Sequence, residues 1–168
     1  MKKRKKKNIN PFDVNYINPF LDATINVLET MAMVKVSHSE PYLKKNNLTY
    51  GDATGIISLQ GDKIIGTMVL SFSKESILKI ISNMLSEEFM EVDEDVMDAV
   101  GELTNMISGG AKGILSEEGH TFQMTIPSLV TGKGKRIKHE PIKPSIVIPF
   151  SIDAGDFCVE ACLKWKAD

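Results

Sequence analysis

Two cysteines, one tryptophan and three histidines are all that 168 residues offer of the side chains most used for redox, metal and proton-shuttle chemistry. Cys158 and Cys162 stand four apart, too far to bridge along one strand, and no second Cys/His pair follows at zinc spacing. Two reduced, packed thiols are expected. His38, His120 and His139 are scattered and read as surface or packing residues. There is no serine elbow, no phosphate-binding glycine loop and no metal-ligand cluster. No apolar run approaches the roughly 18 residues of a membrane span, and no apolar segment follows the basic start. A cytoplasmic chain without a membrane span is the expectation.

What is present suits one ordinary globular domain, with 42% apolar and 25% charged residues. The formal charge of −2 hides an asymmetry. Residues 1–7 (MKKRKKK) hold six positive charges, leaving 14 Lys/Arg against 22 Asp/Glu, a net of −8. An acidic body argues against nucleic acid as the main partner. Residues 1–14 read as a basic, solvated tail in preference to a membrane contact, and 15–168 as a single domain.

Residues 93–114 (DEDVMDAVGELTNMISGGAKGI) show helical spacing. Val96, Val100, Leu103, Ile107, Ala111 and Ile114 fall within roughly 80° of one another and should face a core. Asp98, Glu102, Asn105 and Gly109 fall on the opposite side, presenting a carboxylate and a carboxamide one turn apart. Gly101, Gly109, Gly110 and Gly113 lie inside the pattern, each costing up to about 1 kcal/mol relative to Ala. Close approach of another surface is one reason to tolerate them.

Asn18-Pro19 predicts a helix start, with Phe20, Thr24, Val27 and Met31 buried along residues 19–33. The first Ile-Asn-Pro-Phe copy, at 9–12, has no evident role. Residues 34–47 read as irregular with a short strand near Val36. Strands at 53–60 and 63–71 flank Gly61-Asp62, a hairpin signal. A helix over 74–85 with Ser73 as cap follows. Further strands are predicted at 121–126, 128–132, 145–152 and 157–165, with a turn at 153–156. Residues 133–143 (KGKRIKHEPIK) read as an exposed basic loop. The fold class is α+β, an antiparallel sheet with long helices packed on one face.

A repeat is also visible. Asp22-Ala23 precedes Asn26 and Glu29, as Asp98-Ala99 precedes Glu102 and Asn105, 76 residues on throughout. Amide and acid are exchanged between the copies, and the first lacks the glycines. A duplicated half-domain with pseudo-twofold symmetry accounts for this, and the first copy should be the inert one.

With conventional catalytic sets missing, Glu102 and Asn105 are the best remaining pair. A carboxamide both donates to and accepts from water, so it can align one. It is a poor base, useful only where the electrophile is already activated. At Asp98, Glu102, Asn105 and Pro127, and at Tyr16-Ile17-Asn18-Pro19-Phe20, the sequence resembles the CheC/CheX/FliY family of chemotaxis phosphatases, most of all its CheX members. The resemblance covers about residues 15–165. It implies a CheC/CheX-like fold and hydrolysis of the aspartyl phosphate on the response regulator CheY. Asn105 would orient the attacking water and Glu102 would pair with a regulator lysine. Asp98 and Gly109 would join the partner-binding surface. No cofactor of its own is implied, since magnesium would belong to the regulator. A homodimer is expected. The alternative is a non-catalytic docking module for a response regulator or flagellar switch protein.

Overall fold

A computed structural model describes residues 14–138 and 144–165. The basic tail, the first Ile-Asn-Pro-Phe copy, His139 and the end of the basic loop lie outside the described residues. In chain order the elements are α1 (Val14–Met31), β1 (Ser37–His38), β2 (Tyr42–Lys44), β3 (Ala53–Gln60), β4 (Ile64–Phe72), α2 (Lys74–Leu85), α3 (Glu94–Glu117), β5 (Gln123–Met124), β6 (Ser128–Thr131), β7 (Ser145–Ile152) and β8 (Gly155–Trp165). The strands form one antiparallel sheet in the order β1-β7-β8-β4-β3-β5, with β2 also on β7 and β6 also on β3.

Alternate strand residues turn to the helices. Ile57 and Leu59 of β3, Met68 and Leu70 of β4 and Phe157 and Val159 of β8 join Phe20, Leu28, Ile80, Val100 and Leu103 in one core. Phe157 stacks between Phe72 and Phe150, with ring centroids 5.1 Å apart in each pair. On the other face, Lys44 reaches the buried Glu160 at 3.0 Å. Both cysteines are buried, as reduced thiols not bridged to each other. Burial, reinforced by the Glu160 charge, pushes the Cys158 thiol up to about 12.

The sheet is built from two equivalent halves. Pairs Ser37↔Ser151 and His38↔Phe150 recur as Gln123↔Gln60 and Met124↔Leu59. Tyr42↔Val147 and Leu43↔Ile146 recur as Ser128↔Ile56 and Leu129↔Gly55. Even the flanking backbone bonds match, from Ser39 N–H to the Pro149 carbonyl and from Thr125 N–H to the Ser58 carbonyl. Each half lends its short edge strands to the other half's hairpin, and β4 meets β8 at the pseudo-axis. The repeat suspected in two helices therefore extends through the sheet.

Several elements differ from their sequence signals. The first helix begins at Val14, so Pro19 lies inside it and is not its first residue. Burial of Ile17 and the packing of Tyr16 on His120, centroids 5.6 Å apart, hold the extra turn despite the lost N–H. Met31 is exposed, and Ala23 and Leu28 take its place in the core. The 121–126 strand shrinks to Gln123–Met124. Ile114 is half-buried and Leu115 completes the α3 stripe, the drift expected of a 3.6-residue period. Part of the basic loop is pinned: Thr49 N–H donates to the Lys135 carbonyl and Ile137 N–H to that of Asn47.

The seat of α3 on β3 positions everything on its outer side. A Cβ at Gly55 would lie 2.0 Å from the Thr104 hydroxyl oxygen. That hydroxyl donates to the Val100 carbonyl at 2.7 Å and cannot turn away without losing a buried bond. Gly55→Ala is expected to destabilise by about 1–3 kcal/mol in chemical denaturation. Adding Thr104→Ala should recover part of the loss, and no recovery would show that the clash is not the cause.

Candidate functional site

Asp93 caps α3, its carboxylate accepting from Val96 N–H at 2.9 Å, and Glu94 and Asp95 favour the helix's positive end. Val96, Val100, Leu103, Ile107 and Ala111 are fully buried. Each large apolar side chain so buried contributes about 1.5–3 kcal/mol, which outweighs the glycines on the same helix. Thr104 and Ser108 are also fully buried, and their hydroxyls donate to their own helix's carbonyls. The buried face thus asks nothing polar of its neighbours and fixes the helix rotation. Asp98, Glu102 and Asn105 are consequently exposed, as the spacing predicts.

These side chains form the floor of an open groove of about 680 Å³. One wall comes from the end of α2 and the turn after it, with Leu85, Glu87 and Phe89. Ser86 takes a left-handed conformation (φ 51°) there and ends the helix. The other wall is Ile126, Pro127 and Leu129, from the β5–β6 connection and β6. Pro127 therefore lines the same groove as Glu102 and Asn105. The charged residues lining the groove are Glu87, Asp95, Asp98 and Glu102, all acidic. The groove can orient water through Asn105 and attract a cation through Glu102.

Gly109 lies next along the stripe but is not among the residues lining the groove. The four glycines divide into separate roles. A Cβ at Gly110 would stand 3.1 Å from that of Ala23, so this glycine lets α1 approach α3. One at Gly101 would meet only Leu129 methyls, at 3.6 and 3.9 Å. At Gly109 and Gly113 nothing lies within 4 Å. Among the described residues, no packing requires these two. Asp22, Asn26 and Glu29 are exposed on α1, away from the groove. Nothing in the sequence pattern singled out Ile126, Leu129, Leu85 or Phe89. The one available signal was a second repeat, Ser39-Glu40-Pro41-Tyr42-Leu43 against Thr125-Ile126-Pro127-Ser128-Leu129.

Among the described residues, no helix is long and apolar enough to cross a membrane. A family model described as "Chemotaxis phosphatase CheX" matches residues 53–151. A protein of Thermotoga maritima named "CheY-P phosphatase CheX" is 26% identical over 127 residues, 75% of this chain and 81% of that one. A CheC-like superfamily protein from a Shewanella species is 43% identical in its crystal structure, with a TM-score of 0.84 over 90% of this chain and 99% of that one. The Borrelia burgdorferi CheX-CheY-BeF3-Mg complex contains a chain 25% identical, with a TM-score of 0.70, covering 89% of this chain and 97% of that one.

The glycine roles predict opposite signs. Gly109→Ala should stabilise the fold by up to about 1 kcal/mol, the helix-propensity difference. Gly110→Ala should bring no such gain, because α1 must give way. Thermal denaturation of the two variants side by side checks this; equal stabilisation would remove the packing role of Gly110.

Proposed function

Because this chain belongs to the chemotaxis phosphatase CheX family, we propose that it hydrolyses the aspartyl phosphate of a CheY-type response regulator. The observation that carries the reading is the exposed Asp98–Glu102–Asn105 stripe, held on a rigid helix at the floor of a groove that Pro127 walls. Asn105 enters the regulator's phosphorylation site, and its carboxamide orients the attacking water. A positioned water gains most where the phosphoryl group is already activated, so little else is asked of this chain. Glu102 pairs with a cation of the regulator, in keeping with the wholly acidic charge of the groove. Asp98 adds to that field. Gly109 lets the regulator come close to the helix, in line with the open space above it. Magnesium belongs to the regulator. The working surroundings are cytoplasmic.

The first copy, Asn26 and Glu29, is inert: its acid and amide are exchanged and no glycine at Gly109's place opens its surface. A homodimer joined through a sheet edge suits the exposed short strands β1 and β2, at the border away from the groove.

Phosphate release from a phosphorylated receiver domain, with and without this protein, is the test. Asn105→Ala should lower the acceleration by about a hundredfold or more while binding is largely retained. Glu102→Ala should weaken both binding and turnover. Acceleration that survives Asn105→Ala would contradict the assigned role. No acceleration by the wild type, with binding intact, would leave a docking module instead.

A further inference from the structure

We propose that Ile126, backed by Leu129 and faced across the groove by Leu85 and Phe89, is the apolar anchor that docks the phosphorylated receiver and selects among receivers. The receiver it fits offers an apolar patch beside the phosphorylated aspartate and its lysine. This deepens the phosphatase reading and rests on it.

A lone exposed isoleucine needs no explanation, since most protein surfaces carry some. Ile126 differs in three respects. The first is that it is 89% exposed yet held at both ends. Thr125 N–H donates to the Ser58 carbonyl at 3.1 Å, and Ser58 N–H donates to the Thr125 hydroxyl oxygen at 3.0 Å. On the far side, Ser128 pairs with Ile56 in the β3–β6 ladder. Pro127 also confines the residue before it to extended backbone. Only Ile126 and Pro127 bridge these anchors, so docking has little conformational freedom left to remove.

The second is its company. Ile126, Leu129 (40% exposed), Leu85 (52% exposed) and Phe89 share one groove with Glu102 and Asn105. Apolar side chains on both walls, with Glu87 the one charge among them, let a partner that closes over the polar floor exclude water from a charge pair there. Acidic charge alone would draw many cationic surfaces, whereas apolar walls admit a partner with matching apolar surface.

The third is the repeat. Glu40 occupies, in the first half, the place Ile126 holds in the second, between the equivalent bonds from Ser39 and Thr125. That same half carries the exchanged Asn26 and Glu29. The apolar tip thus accompanies the working pair and is missing from the half whose acid and amide are exchanged.

Ile126→Glu, which copies the other half, and Ile126→Leu form the test against a receiver domain phosphorylated with acetyl phosphate. Ile126→Glu is expected to raise KM by about tenfold or more, the size of one buried aliphatic side chain, with kcat within about twofold. Ile126→Leu should stay near wild type. The denaturation midpoints should match, because the side chain is exposed. An unchanged KM, or a fall confined to kcat, overturns the proposal. Titration against the receiver loaded with magnesium and beryllofluoride separates the two readings. Should the wild type bind without accelerating hydrolysis, the phosphatase reading falls. Weaker binding by Ile126→Glu then still sustains the anchor, and equal binding overturns it. A wild type that does not bind overturns both.

Discussion

The structure depends on one close contact: α3 lies flat against β3 because Gly55 has no side chain under Thr104. With that seat fixed, eight fully buried α3 residues set the rotation of the helix, and the opposite stripe can only point outward. Any lift or turn of α3 would move Glu102 and Asn105 together and change their place relative to Pro127. The pair's rigidity is therefore borrowed from the core. Buried hydroxyls that satisfy themselves within the helix, Thr104 and Ser108, let this contact stay dry and close.

Duplication accounts for the architecture, and the asymmetry between the halves singles out one groove. Each half lends its short edge strands to the other, so neither half completes its side of the sheet alone. The helices α1 and α3 sit side by side, and Gly110 lets them approach at Ala23. What is not duplicated gathers around α3. The end of α2 and the turn after it wall one side of the groove, and the second half has isoleucine where the first has Glu40. A symmetric fold thus carries one groove with the acid–amide order of the family motif.

Much of this was legible in the sequence, for identifiable reasons. α2 and β7 match their sequence signals because Ser73 is a strong cap and residues 146–150 (IVIPF) are a continuous apolar run. The outward stripe of α3 followed from spacing alone. The start of α1 was not legible, because Pro19 signals a helix start while tertiary burial of Ile17 overrides it. Apart from Pro127, the groove walls were barely legible, for a different reason. Ile126 and Leu85 are separated from Glu102 in sequence, and only the sheet register and the end of α2 bring them together. Glycine roles were likewise hidden, since four similar residues on one helix proved to serve contacts with α1, with β6 and with open space.

The most direct test is a crystal structure of this protein bound to a receiver domain carrying magnesium and beryllofluoride. The Asn105 carboxamide should then lie about 3 Å from a water placed in line with beryllium, with Glu102 on a receiver lysine. A receiver seated elsewhere, with the α3 stripe open to solvent, would contradict the account.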